Sequence, residues 1–183
     1  MSCVVQKYII TSPIGKILIE SCVKGLHFVK QNEYTTDELF KPDKRIHVDL
    51  VEEESDKLNE IILSTIKWFR VYFTDPLEAS RLSLPNICVA SNQGSFREIV
   101  WLALAESVKA GETISYGELA KLVMKPGASR AVGSAMSNNP ISIIVPCHRV
   151  IKSDGSLGNY AKGCRNNVKK WLLEYEGAIS NVK

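Results

Sequence analysis

Residues 141–150 read Ile-Ser-Ile-Ile-Val-Pro-Cys-His-Arg-Val, an apolar run that delivers a cysteine beside a histidine. A cysteine is a useful nucleophile only as its thiolate, a minority species at neutral pH unless its surroundings lower the pKa. His148, or a water it holds, is placed to take the proton if a third group orients the imidazole. Pro146 fixes its own φ and has no N–H, so the run is expected to present Cys147 at a stiff strand exit. Arg149 adds positive charge that favours thiolate. The same pair also fits a buried structural cysteine next to a satisfied histidine, so the flanking sequence has to decide.

Working outward, 183 residues allow one ordinary domain or two small ones. The composition, 45% hydrophobic and 23% charged, is that of a soluble globular protein. No apolar run is long enough to cross a bilayer, and the N-terminus lacks the basic and apolar regions of a secretion signal, so an intracellular location is expected. Five widely spaced cysteines (3, 22, 88, 147 and 164) argue for free thiols or a metal site over a disulfide framework. Charge is uneven: residues 1–90 hold 11 Lys/Arg against 13 Asp/Glu, and residues 91–183 hold 12 against 7. A polyanion would therefore meet the C-terminal half.

The first thirty residues read as strands: Val4–Ile10, Lys16–Ser21 and Leu26–Lys30, separated by turns at Ser12–Gly15 and Val23–Gly25. Residues 32–54 read as a polar loop. Apolar positions from Leu58 to Phe73 follow helical spacing, with Ser55 as the expected N-cap and Asp75-Pro76 as the stop. Pro85–Gly94 reads as an extended linker, placing a boundary between domains 1–88 and 89–183. Beyond it the pattern is helical: Ser95 to about Lys109, then Tyr116–Met124 capped by Ser115, a Lys125-Pro126-Gly127 turn, and Ala128–Asn138. Two short helices joined this way suggest a helix-turn-helix. The second is slim, with Ala128, Ala131, Gly133, Ser134 and Ala135 around one long cation, Arg130. Small residues of this kind suit either close approach to a DNA groove or tight helix packing.

The stretch Ile144–Val150, with Ser137-Asn138-Asn139-Pro140 before it and Asp154-Gly155-Ser156-Leu157-Gly158-Asn159-Tyr160 after it, resembles the active-site region of the O6-alkylguanine-DNA alkyltransferases. Gly111–Ala120 and Ser129–Gly133 are similar to that family's DNA-binding segment. The resemblance covers about Phe96 to Gly177. It implies an α+β fold: a small N-terminal antiparallel sheet with a helix, then a mostly helical C-terminal domain with the helix-turn-helix and the reactive cysteine. It implies direct-reversal repair, in which one alkyl group passes irreversibly from O6 of guanine, or O4 of an alkylthymine, to Cys147, once per molecule. His148 would be the base through a water and Glu176 the carboxylate behind it. Asn139 would hold the turn between the recognition helix and the active-site strand, and Tyr160 would help protonate the leaving guanine. The partner implied is double-stranded DNA bound through its minor groove with the lesion flipped out. Tyr116 would drive the rotation and Arg130 would fill the vacated stack. Lys125, Gly117 and Ser153 stand at the remaining DNA-contacting positions. A monomer, no organic cofactor, and a nuclear location (cytosolic in a prokaryote) complete the expectation.

Cys3, Cys22 and His27 also invite an explanation, because Cys22-x4-His27 straddles a turn between expected strands and Cys3 lies on the neighbouring one. The family resemblance extends to animal-type members with a structural zinc held by two Cys and two His. Here Pro85-Asn86-Ile87-Cys88 places a cysteine at the fourth position, giving a closed Cys3, Cys22, His27, Cys88 set. Two departures bear on reactivity. Ala161 stands where those members have a serine that donates to O6, and Ser142 where they have a proline that stacks on benzyl groups. Two other classes compete: a non-catalytic binder of alkylated DNA, whose relatives carry Trp in place of the cysteine, and a Cys-His hydrolase, which needs an oxyanion hole.

Overall fold

Alternation of buried and outward side chains builds the first sheet. Strand β1 (Gln6–Ile10) buries Tyr8 and Ile10, β2 (Ile17–Cys22) buries Ile17, Ile19 and Ser21, and β3 (Gly25–Gln31) buries Leu26 and Val29. The structure, a computed structural model, describes residues 3–31, 36–53, 58–88 and 93–180. The sheet is antiparallel, in the order β3-β2-β1-β4. Its fourth strand, β4 (Leu50–Glu53), corrects the loop expected over residues 32–54. A short acidic segment lacks a strand pattern, yet an edge position requires only backbone pairing with β1.

Helix α1 (Glu60–Tyr72) buries Ile62, Ile66, Trp68, Phe69 and Tyr72. Its cap is Asn59, whose side chain accepts from the Ile62 N–H and donates to Gln6, the Tyr8 hydroxyl and Ser21. One residue thus starts the helix and pins it to β1 and β2. The expected cap, Ser55, lies outside the described residues. Asp75 caps a further turn, α2 (Pro76–Ala79), with Pro at its first position.

Pro85–Cys88, the start of the expected extended linker, is tied to the sheet. Leu26 N–H donates to the Asn86 carbonyl and Cys88 N–H to the Leu26 carbonyl. A β-carbon at Gly25 would lie 2.7 Å from the Asn86 oxygen, so this approach requires glycine. Contacts divide the chain into one unit of Met1–Val89 with Pro140–Ser142 and a second of Ala90–Asn139 with Ile143–Lys183.

In the second unit Ser95 caps α3 (Phe96–Ser107), which buries Val100, Trp101, Leu104 and Ala105. Helix α4 (Tyr116–Leu122) begins at a reciprocal capping box between Ser115 and Glu118. It ends with Met124 in the left-handed region (φ 57°) and the Lys125 N–H bonded back to the Ala120 carbonyl. Helix α5 (Ser129–Ser137) follows, burying Val132, Ala135 and Met136. Trp101 Nε1 donates to the Ala135 carbonyl at 2.8 Å, fixing α3 against α5. Two short parallel strands, β5 (Ile114–Ser115) and β6 (Val150–Ile151), join the start of α4 to the segment after Cys147. Helix α6 (Asn166–Tyr175), on Val168, Leu172 and Leu173, closes the unit. The fold is α+β.

Candidate active site

The approach to Cys147 is a turn and not the strand exit expected. Ile141 makes an isolated bridge to Val29, and the chain then reverses at Ile143, a buried β-branched residue at φ 75°. That backbone costs on the order of 1–3 kcal/mol, which neighbouring contacts must offset. Residues Cys147–Arg149 form one turn of 3₁₀ helix. The Cys147 sulfur is 8% exposed as part of its residue. Asn139, at the end of α5, donates from Nδ2 to the Val145 carbonyl at 2.9 Å and to Cys147 Sγ at 3.2 Å. Burial pushes the thiol pKa up, opposed by Asn139, by the Lys169 charge and by a hydrogen bond from Tyr160.

Behind the sulfur lies a buried charged cluster. His148 Nε2 is 2.8 Å from Glu176 Oε1, and both side chains are fully buried. Nε2 carries the proton in this arrangement, leaving Nδ1, buried and without a hydrogen-bond partner among the described residues, as the acceptor. Burial drives the His148 pKa down against the pull of Glu176, so the resting ring is neutral. Glu176 is buried too, yet His148 and Arg149 together hold its carboxyl well below the ordinary range.

Arg149 corrects a second expectation. Its guanidinium is bonded elsewhere than the thiol: Nε and Nη2 grip the two Glu176 oxygens at 2.9 Å, and Nη1 donates to the Val108 carbonyl at 2.7 Å. Lys169 was not read from the sequence. It is buried on α6, Nζ donates to the Val150 carbonyl at 2.7 Å, and burial lowers its pKa to about 8. The readable signal was its place in the Val168, Leu172, Leu173 stripe, two helical turns before Glu176.

Tyr116 is half-buried at the start of α4, and burial raises its pKa with a smaller contribution from Cys147. Its ring lies beside Gly133 of α5 and its hydroxyl beside Gly158: β-carbons there would meet Tyr116 atoms at 3.9 Å. Arg130, Ala131 and Ser134 share the exposed side of α5, whereas Ala135 is buried under Trp101. Lys125 and Ser153 are exposed, Gly117 half-buried. The small residues therefore divide between the two uses the sequence allowed: packing at Ala135, an open slim face at Ala131 and Ser134.

The family profile described as 6-O-methylguanine DNA methyltransferase, DNA binding domain, matches residues 95–178. Along nearly the whole chain, a rat methylated-DNA–protein-cysteine methyltransferase is 38% identical over 185 residues, covering 96% of this chain and 83% of that protein. The chain belongs to the O6-methylguanine-DNA methyltransferase family. A Methanosarcina acetivorans methylated-DNA–protein-cysteine methyltransferase is 39% identical, covering 93% of this chain and 97% of its own. The crystal structure of the Mycobacterium tuberculosis O6-methylguanine methyltransferase superposes with a TM-score of 0.68 at 31% identity, over 98% of this chain and 97% of that one. A complex of the M. tuberculosis enzyme with DNA gives 0.66 at 33% identity, over 93% and 91%.

In this methyltransferase the N-terminal unit also holds a cluster able to bind a metal. One ligand atom from each of Cys3, Cys22, His27 and Cys88 lies within 4.8 Å of the others, and the Cys3 and Cys88 sulfurs are 4.0 Å apart. A tetrahedral zinc with bonds of ~2.0–2.3 Å spaces its ligands only slightly closer than this. His27 Nε2 is buried without a hydrogen-bond partner among the described residues. Hydrogen bonds from His27 and the Lys24 N–H outweigh burial and bring Cys22 down to about 6, while burial and the two neighbouring thiols push Cys88 up to about 11. Three sulfurs and one imidazole nitrogen at this spacing are a closed donor set of the kind zinc takes, with the thiols losing their protons on binding, so the residues fit the metal.

Proposed function

We propose that this protein performs single-turnover, direct-reversal repair of O6-alkylguanine in duplex DNA, with Cys147 as the alkyl acceptor. The observation that carries this is the position of Cys147: it is buried, its sulfur is held by Asn139 at 3.2 Å, and the adjoining residue His148 forms a buried pair with Glu176 that can receive its proton. The thiol proton passes through a water to His148 Nδ1, and Glu176 stabilises the imidazolium that forms. The sulfur pair then attacks the alkyl carbon, the carbon–O6 bond breaks, and its electrons stay on the guanine oxygen. The Tyr160 phenol, already hydrogen-bonded to the sulfur, is positioned to protonate that oxygen. The thioether has no route back, so each molecule acts once.

Reaching O6 requires the base to leave the stack. Tyr116, between Gly133 of α5 and the Gly158 loop, crowds the phosphate beside the lesion, and exposed Arg130 enters the gap. The slim Ala131–Ser134 face suits the minor groove, with Lys125, Gly117 and Ser153 on the backbone. O4-alkylthymine presents similar chemistry and is a second substrate. Residues 1–88 act as a structural domain and 89–183 as the DNA-binding, alkyl-accepting domain. Zinc held by Cys3, Cys22, His27 and Cys88 would stiffen the first without entering the reaction. The protein works as a monomer in the nucleus or, in a prokaryote, the cytosol; among the described residues no helix is long and apolar enough to cross a membrane.

The test is incubation with a duplex containing O6-methylguanine, followed by intact and peptide mass measurement. One methyl group on Cys147 and a normal guanine in the DNA are expected, with no second turnover. Methyl on another residue, more than one equivalent repaired per chain, or full activity in Cys147→Ser would overturn the reading.

A further inference from the structure

The loop that follows Tyr160 is strained and yet tightly held. Ala161, Lys162 and Gly163 lie consecutively in the left-handed region, at φ 47°, 61° and 92°. Glycine adopts that backbone freely, whereas alanine and lysine do so against steric repulsion, which other contacts must offset. Those contacts converge on Tyr160. Its carbonyl accepts from the Gly163 N–H at 2.9 Å and the Arg165 N–H at 3.4 Å, and its own N–H donates to Asn166 Oδ1 at 2.8 Å. Asn166 is the first residue of α6, and an asparagine oxygen at a helix start ordinarily accepts from the helix's own N–H groups. Here it reaches back six residues instead, and the start of α6 has no side-chain cap. The Tyr160 phenol, at the other end of that residue, is hydrogen-bonded to the Cys147 sulfur. One amide on α6 is thereby linked through Tyr160 to the reacting atom.

We propose that Asn166 is a positioning residue for alkyl transfer: its side-chain oxygen, on the Tyr160 N–H, holds the strained loop in place and so keeps the Tyr160 phenol on the Cys147 sulfur. Asn166 itself forms no bond to the alkyl group and transfers no proton; it acts through Tyr160. Without its bond, Ala161 and Lys162 relax toward ordinary backbone, and Tyr160 turns with them. A phenol displaced by even about 1 Å loses its hydrogen bond to the sulfur and its line to the guanine oxygen, because proton transfer depends steeply on geometry. Strain kept beside a reacting sulfur, and matched by a side chain withdrawn from its own helix, is the pattern expected where geometry serves the reaction.

This rests on the reading of Cys147 as acceptor with Tyr160 beside it, and the experiment separates the two. Labelling of Cys147 by iodoacetamide, followed by peptide mass across a range of pH, reports the thiol without DNA; methyl transfer from an O6-methylguanine duplex reports the reaction. Asn166→Ala is expected to raise the labelling midpoint by about half a pH unit, slowing labelling about threefold at neutral pH. It should also slow methyl transfer about tenfold. Asn166→Asp, which keeps an oxygen acceptor in the same place, returns most of both. In a Tyr160→Phe background the Asn166→Ala change should shift neither further, since the two residues act as one unit. A merely structural asparagine would lower the melting temperature in both backgrounds and leave midpoint and rate in place. That result in folded Asn166→Ala, or effects that add to those of Tyr160→Phe, overturns the proposal. Should Asn166→Ala fail to fold, amide hydrogen exchange in the wild type decides. The Tyr160 N–H should exchange at least about tenfold more slowly than the Ala161 and Lys162 N–H groups, which have no partner among the described residues; equal exchange overturns the proposal. Wild-type protein that takes no methyl from O6-methylguanine DNA would sink the parent reading whatever Asn166 does.

Discussion

Asn139 Nδ2 touches Cys147 Sγ at 3.2 Å while holding the Val145 carbonyl at 2.9 Å, so one amide orients both the sulfur and the turn that presents it. The turn needs such a clamp, because Ile143 at φ 75° would otherwise relax toward an extended backbone. Asn139→Ala removes both bonds and leaves the Val145 carbonyl with the Cys147 N–H alone, a loss of about 1–3 kcal/mol. It also removes the hydrogen bond that opposes the burial-raised thiol pKa. We expect a lower melting temperature together with at least a tenfold slower methyl transfer, measured by quenched mass spectrometry on equal amounts of folded protein. A variant that lost stability but transferred at the wild-type rate would confine Asn139 to a structural role.

Glu176 links pH to stability. Its folded pKa lies below the ordinary carboxylate value, so its contribution is complete above about pH 4.3 and is lost as pH falls toward the folded value. The His148 pKa is lowered as well, so the unfolded chain binds its proton first, and stability begins to fall below about pH 6.5. Acid denaturation should therefore start in the histidine range and steepen in the carboxylate range. In Glu176→Gln the steep lower phase disappears, and at neutral pH the protein loses about 3–5 kcal/mol because Arg149 is left buried without its partner. Melting temperatures recorded against pH for both proteins would show this; superimposable curves would refute it.

For the metal cluster, purified protein should carry one zinc per chain by elemental analysis. Cys88→Ala should lose most of it. A loss of ~2 kcal/mol of stability lowers the melting temperature by roughly 4–8 °C for a chain of this size. Because the cluster belongs to the N-terminal unit and Cys147 to the other, methyl acceptance per folded molecule should be unchanged. Equal zinc content in wild type and Cys88→Ala would remove Cys88 from the ligand set.

Arg130 is exposed on α5 and, among the described residues, has no hydrogen bond or ion pair. Arg130→Ala is therefore expected to leave the stability within about 0.5 kcal/mol of wild type. On duplex O6-methylguanine it should slow transfer ten- to a hundredfold, about 1.4–2.8 kcal/mol of flipping support. Iodoacetamide labelling of Cys147 should not change. Loss of both reactions would mean the substitution disturbs the pocket itself.

Different parts of the molecule were legible to different degrees. Ser95 and Ser115 declared their helices because a cap is a local device, decided within four residues. The start of α1 was misplaced since its real cap, Asn59, is defined by its hold on Gln6, Tyr8 and Ser21, far away in sequence. Edge strand β4 has no apolar alternation and exists through pairing with β1. Ile141–Val145 looks like a strand by composition, and only the positive φ at Ile143 shows that it turns. In the site, the Cys147-His148 pair was readable from motif chemistry, whereas Glu176 came only with the family resemblance; the structure places it 2.8 Å from His148. The long side chains were harder: Arg149 and Lys169 reach across to partners on other elements, so their roles depend on tertiary geometry that no spacing rule encodes.

Ala161 brings sequence and backbone together in a last prediction. It follows Tyr160 and sits exposed in the left-handed region, with Lys162 beside it also at positive φ. A methyl group there offers no donor to guanine O6, and Ser142 offers no ring face to a benzyl group. Transfer from free O6-benzylguanine, which would lack the DNA contacts proposed for α5, should therefore be slower than transfer from methylated duplex. Ala161→Ser adds a donor at an already strained position; one hydrogen bond to a developing charge contributes about 1.5–3 kcal/mol, so about a tenfold gain with the free base is expected. Competition between the two substrates for Cys147, read by peptide mass, measures this directly. Equal or faster reaction with the benzyl compound in the wild type would show that Tyr160 and the backbone donors already supply what the missing hydroxyl would add.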